Sequence, residues 1–329
     1  DLHSFPTRRS SDLLSFRRAY WHLDFFWGLQ GIDHVQAAEG YHFHGETTKA
    51  DSALIAGKIS GEKHPFVQHY QFLRDLVADN DQVEAKYTIP APAQFYFELI
   101  RDAEHVEKLN EIYPDFDQLR EDIKTAYLQV IQDLVDAGLK TLQVDDCTWG
   151  VLVDDNFLSA WGAAQGKTKD QVREELANLF LTLNNDVYEN VPTNLTVNTH
   201  VCRGNYHSTW ASSGGYAPIA EELFEKEAVN AYFLEFDTER AGGFEPLAKV
   251  TPGKKVVLGL LTSKSGQLED KEAVIARIKE ASQYVPLENL YLSTQCGFAS
   301  TEEGNILTEE NQWEKIALIS DIVKEVWGE

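Results

Sequence analysis

From Val83 onward, short runs of β-branched and apolar residues alternate with long amphipathic stretches, and this alternation most narrows what the chain can fold into. Repeated βα units of this kind build a parallel sheet, because each helix carries the chain back to where the next strand begins. Strands are predicted over 84–90, 141–145, 195–200, 231–236, 256–261 and 289–294. Helices are predicted over 116–137, 169–187, 219–226, 271–283 and 311–326. The last of these repeats Ile316, Ile319, Ile322, Val323 and Val326 at helical spacing. Gly138 reads as a helix stop before the second strand.

Six strands fall two short of an eight-stranded barrel, yet the chemically interesting side chains cluster at strand C-termini, where such barrels hold their active sites. The expected fold is therefore α/β, a TIM-type (β/α)8 barrel lacking its opening βα units in this chain. Methionine is absent throughout, and the opening DLHSFPTRRSSDL has no hydrophobic period. Residues 1–14 are accordingly read as a non-native stretch and 15–329 as a single barrel domain. An open doubly wound sheet is the alternative, since it too binds ligands beyond the carboxyl ends of its strands. No GxGxxG or GxxxxGK[ST] element supports a nucleotide-binding version.

Charge removes whole classes of partner. With 53 acidic against 29 basic side chains, the net charge of -24 opposes nucleic acid and anionic lipid alike. No apolar run reaches the roughly 20 residues of a membrane span. Three cysteines are too few for a disulfide framework, so thiols held reduced in the cytoplasm are expected.

Two of those cysteines stand in a suggestive set. His200 and Cys202 in THVCRGN, Glu235 in YFLEFD and Cys296 in LSTQCGF all fall at strand ends, offering one nitrogen, two sulfurs and one oxygen. His200 and Cys202 are two apart, so on a strand both face the same way. A carboxylate closing the apolar run AYFLEF is costly to bury without a cation or hydrogen-bond donors. Gly297 after Cys296 permits close backbone approach. The set fits zinc, and a thiolate-rich zinc suits activation of a substrate thiol for alkyl transfer. Taken singly, each residue has a plainer reading: a buried cysteine, a hydrogen-bonded histidine, an exposed strand end. Asp145 and Asp146 in QVDDCTW lie at the same face and suit capture of a substrate ammonium, Asp145 foremost; a helix N-cap is the competing role for Asp146. Cys147 is left outside the ligand set.

QVDD, HVC, FLE and STQCG, in this order, resemble the catalytic barrel of cobalamin-independent methionine synthase, and FRRAYWHLDFFWGL with HVCRGN is similar to its short single-barrel relatives. The likeness runs from about Phe16 to the C-terminus. It implies zinc held by His200, Cys202, Glu235 and Cys296, homocysteine as the thiol, a methyltetrahydrofolate as donor, and Asp145 with Asp146 in place of an Asp-Glu pair that contacts the amino acid. The family's general acid is a histidine after the seventh strand, and LGLLTSKSGQ has none here. Asp237, Lys264 and His207 are the remaining ionisable candidates, each with a plainer role as surface charge or local hydrogen bond. Trp21 and His22, with Trp27 nearby, are candidates for a substrate pocket, against ordinary aromatic packing. The expected partners are small molecules: homocysteine or another thiol, and methyl-folate or another methyl carrier. Two alternatives stand beside this reading. One is a zinc-barrel alkyltransferase with another donor or thiol; the other is a metal-binding homologue without catalysis. A porphyrinogen decarboxylase would call for an Arg-rich pocket, and only Arg17 and Arg18 are at hand.

Overall fold

The computed structural model describes residues 20–80 and 82–328; the stretch 1–14 lies outside them. The described chain opens with helix α1 (Trp21–Gly28) and strand β1 (Gln30–Gln36). A small ribbon follows, β2 (His42–Phe43) with β3 (Glu46–Thr47), and β4 (Asp51–Ser60) then runs back antiparallel to β1. Next come α2 (Phe66–Leu76), β5 (Tyr87–Pro90), α3 (Pro92–Leu99), α4 (Ala103–Ile112), α5 (Phe116–Asp136) and β6 (Thr141–Asp145). They lead to α6 (Thr148–Leu152), α7 (Asp155–Gln165), α8 (Lys169–Tyr188), β7 (Thr196–Val201) and β8 (Ala231–Glu235). The chain continues through β9 (Lys255–Leu261), α9 (Lys271–Ala281), β10 (Leu290–Thr294) and α10 (Glu309–Trp327).

All six predicted strands are present, as β5 to β10, in one parallel sheet whose spatial order is the chain order. A doubly wound sheet must reverse direction part-way through its strand order. This one never does, so the sheet curves one way, as in a TIM-type barrel, and forms a six-strand arc among the described residues. The strands read as continuous apolar runs because both faces are covered: in β9, every residue from Val256 to Leu261 is buried.

Local chemistry sets the boundaries. Thr168 and Gln171 form a reciprocal capping box at the start of α8, and Thr308 with Asn311 does the same for α10. Asp115 and Asp270 cap α5 and α9 with their side chains. Gly138 ends α5 as expected. Its φ of 105° is open to glycine, and its N–H and that of Leu139 return to the carbonyls of Val135 and Leu134 at 2.8 and 3.0 Å.

Two expectations are adjusted. The first strand starts at Tyr87 rather than 84, and the segment expected as one helix over 219–226 is a 3-10 turn, Ala217–Ile219, followed by a π turn, Glu221–Lys226. Pro218 stands in the first turn, where its missing N–H has no intrahelical acceptor to lose. The aromatic opening is mostly core: Leu23, Phe25 and Phe26 are fully buried, Phe26 meeting Phe95 at 4.9 Å and Phe25 meeting Tyr127 at 5.2 Å between ring centres. Trp27 donates to the Ser52 carbonyl and stacks on His34, holding α1 to the β1–β4 pair. Among the described residues no helix is long and apolar enough to cross a membrane.

Candidate metal centre

Adjacent parallel strands bring their C-terminal side chains together. Asp145 at the end of β6 is the register partner of His200 in β7, so both project to the same side of the sheet. Cys202 follows His200 by two residues and shares its direction. Cys296 lies two residues past β10, and the intervening Gln295 is fixed by its N–H to the Leu261 carbonyl at the end of β9 (2.8 Å). The result is a compact donor set: ligand atoms of His200, Cys202 and Cys296 all lie within 4.8 Å of one another. His200 Nε2 is 3.4 Å from Cys296 Sγ. Tetrahedral zinc with ordinary bond lengths requires nitrogen-to-sulfur edges of about 3.5 Å and sulfur-to-sulfur edges of about 3.8 Å. The residues present fit a metal ion.

Hydrogen bonds and charges within the cluster shift each of its donors. Thiol hydrogen bonds from Cys147 and Cys296, with His200 adding its own, hold Cys202 well below the usual thiol range against the cost of burial. Burial alone would lower His200, but the hydrogen bond with Cys202 and the charges of Asp145, Cys202 and Glu235 win and push it up to about 9. Cys296 is raised, first by its hydrogen bond to Cys202 and then by burial.

The third cysteine belongs to this neighbourhood. Cys147 Sγ is 3.7 Å from Cys202 Sγ. A signal for it was present in the sequence: Cys147 is two past Asp145, as Cys202 is two past His200, so register-paired strands place the two cysteines side by side.

Glu235, fully buried at the end of β8, stands outside that trio. Its Oε1 is paired with Arg240, and its Oε2 accepts the Arg203 N–H at 2.8 Å. Asp237, also enclosed, faces the same arginine at 3.5 Å, and Arg240 lies over the Trp210 ring, which stacks on His44. Main-chain packing leaves little slack: a Cβ on Gly150 in α6 would stand 2.3 Å from the Cys202 carbonyl, and one on Gly259 would stand 2.6 Å from the Leu234 carbonyl and 2.7 Å from Gln295 Cα.

The two aspartates part company. Asp145 accepts from Gln143 at 2.7 Å; burial raises its carboxyl, and the His200 charge draws it back. Asp146 is fully enclosed on the other side. Its Oδ1 accepts the N–H and hydroxyl of Thr148, and its Oδ2 accepts Asn184 Nδ2 at 2.7 Å. The side chain of Trp21, which opens α1, is outside the described residues. His22 sits against Tyr41, with ring centres 5.6 Å apart, near Glu98 and Arg101 rather than in the cluster; burial drives it down to about 4. Exposed His207 lies 3.3 Å from Glu46, and Lys264 is buried.

Residues 114–312, more than half the chain, match the family model "Cobalamin-independent synthase, Catalytic domain". Two uncharacterized proteins of Bacillus subtilis (strain 168) are similar over 313 residues, covering 95% of this chain and 79% of each relative: YxjH at 41% identity and YxjG at 42%. This chain belongs to the cobalamin-independent methionine synthase family. The putative vitamin-B12-independent methionine synthase from Listeria monocytogenes is similar in structure, with a TM-score of 0.68 and 32% identity over 98% of this chain and 85% of that one. A B12-independent methionine synthase from Shewanella sp. W3-18-1 shares the fold at the same TM-score and 18% identity, over 98% and 86% of the two chains. In this cobalamin-independent synthase domain, the matched span takes in β6 to β10 and with them Asp145, His200, Cys202, Glu235 and Cys296.

Proposed function

We propose that this domain catalyses zinc-dependent transfer of a methyl group to the thiol of homocysteine, giving methionine, with a methyltetrahydrofolate as donor. The observation that carries the reading is the convergence of His200, Cys202 and Cys296 at neighbouring strand ends with donor atoms within 4.8 Å of one another. Family membership supports the reaction class. Zinc held there would make a bound substrate thiol acidic enough to exist as thiolate at neutral pH.

The chain's own residues take distinct roles in this proposal. His200, Cys202 and Cys296 supply three donors, and Glu235 is the proposed oxygen donor. The Arg203 N–H and Arg240, already bonded to Glu235, fix its carboxylate beside the cluster. Asp145, on the cluster side of β6, takes the substrate ammonium. Asp146 holds the turn into α6 through Thr148 and ties it to α8 through Asn184, which positions Asp145 and Cys147. Three unpaired thiols fit a reducing compartment, and the proposed location is the cytoplasm. The surplus of acidic side chains disfavours a polyglutamate tail, so a donor with a short tail is expected.

The test is zinc per chain by elemental analysis, followed by methionine formation from homocysteine with methyltetrahydrofolate or methylcobalamin. One tightly held zinc, lost in Cys202→Ala, together with methionine from the folate, is the expected result. A folded protein that takes up no zinc would overturn the proposal. Turnover with methylcobalamin alone would reassign the donor.

A further inference from the structure

The end of β9 lies between the strand that carries Glu235 and the strand that leads to Cys296, and it supplies no metal donor. It leads instead to Lys264. This residue is 9% exposed, and its Nζ is buried without a hydrogen-bond partner among the described residues. An ammonium shut away from water without an anion is among the costlier things a fold can keep. The backbone that presents it is firmly held. Leu261 pairs with Thr294 across the sheet, Ser263 N–H and Oγ both donate to Gln295 Oε1 at 2.9 and 2.6 Å, and the Ser263 carbonyl accepts Asn305 Nδ2 at 2.6 Å. Gln295 is the neighbour of Cys296, so the lysine is anchored at the rim of the cluster. Cys296, raised chiefly by its bond to Cys202 and by burial, feels the Lys264 charge pulling it back down. Arg203 also has a buried nitrogen, Nη1, without a partner among the described residues, but its guanidinium is committed to the Gly214 carbonyl and the Tyr216 ring.

Resting on the methyl-transfer reading above, we propose that Lys264 binds the carboxylate of the acceptor thiol and so selects an amino-acid thiol over thiols without that group. Asp145 and Lys264 stand at the ends of strands three places apart, with the strand of His200 and Cys202 between them and Cys296 just past the neighbouring β10. Three strand spacings of about 4.8 Å separate β6 from β9 along the sheet, and the long lysine chain narrows that gap. A zwitterion fits between a carboxylate on one side and an ammonium on the other, with its thiol directed at the cysteines. A thiol lacking its carboxylate would leave Lys264 unpaired.

The experiment uses zinc-loaded protein and compares wild type with Lys264→Met, which replaces the charge by an apolar chain of similar length. Calorimetry measures binding of homocysteine and of mercaptopropylamine, the same chain without the carboxylate. Elemental analysis measures zinc, and a melt without thiol reports stability. The expected result is homocysteine binding weakened about 10- to 100-fold, mercaptopropylamine binding unchanged, zinc retained, and a ligand-free protein at least as stable as wild type because an unpaired buried charge has gone. Equal weakening for both thiols, or loss of zinc, would overturn the inference and give Lys264 a supporting role beside Cys296. If wild type takes up no zinc and binds neither thiol, the methyl-transfer reading itself fails, and this inference with it.

Discussion

Glu227 makes the stability of this fold depend on pH in a direction opposite to that of most carboxylates. The residue is fully buried between the π turn and β8. Its Oε1 accepts the Trp149 indole N–H and Asn184 Nδ2, each at 3.1 Å, while its Oε2 has no hydrogen-bond partner among the described residues. Burial first, and the nearby Asp146 charge second, push its pKa up from 4.5 to about 8. The folded state therefore holds this proton more tightly than the unfolded chain does. The stabilisation is fully present below the unfolded value and is lost as pH rises through the folded one. Between about pH 5.5 and about pH 8.5 the loss attributable to this group is on the order of 3 kcal/mol. For a chain of this length that corresponds to roughly 4 °C in Tm. Glu227→Gln keeps an acceptor for both donors and cannot ionise, so it removes this part of the slope. The assay is chemical denaturation of wild type and Glu227→Gln at both ends of the window. Parallel pH slopes in the two proteins would refute the reasoning, because another group would then have to carry the dependence.

Gly259→Ala should destabilise by about 1–3 kcal/mol, since the new methyl meets main chain of both flanking strands, and should also weaken zinc retention by spreading the ends that carry Glu235 and Cys296; an unchanged melting curve would contradict the packing argument. Asn184→Ala removes the donor shared by Asp146 and Glu227 and the acceptor of the Ala93 N–H. A loss of about 3 kcal/mol is expected, read as the shift of the denaturant midpoint, and a cost near zero would mean that the network is replaced by water. Glu235→Gln and Cys147→Ala separate the two candidates for a fourth donor: a competitive chelator titration should show zinc affinity falling sharply in the first and little in the second, and the reverse order would move the site toward Cys147.

The features legible in the sequence were those governed by period and spacing. The six strands of the arc were placed to within a few residues because apolar runs buried on both faces look alike wherever they occur. His200 and Cys202 followed from side-chain parity on one strand, and Cys296 from its place just past another. What escaped depends on contacts that no local pattern encodes. Asp51–Ser60 carries a strand's burial pattern, yet its antiparallel partner Gln30–Gln36 is polar and mostly exposed, so the pair lacked the signature of a half-buried sheet. The sequence already favoured Asp145 and offered a helix N-cap as the competing role for Asp146, but only the contacts with Thr148 and Asn184 show that Asp146 turns inward. The pairing of Glu235 with Arg240 requires the turn after β8, and that turn exists only in three dimensions. Lys264 shows the same limit most sharply. In the sequence it is one of three ionisable candidates for the absent general acid, with surface charge as its plainer role. Only the fixed loop around Gln295 and the burial of its ammonium make it a group in want of an anion, and that anion is most economically supplied by the substrate whose thiol the neighbouring cysteines are arranged to receive.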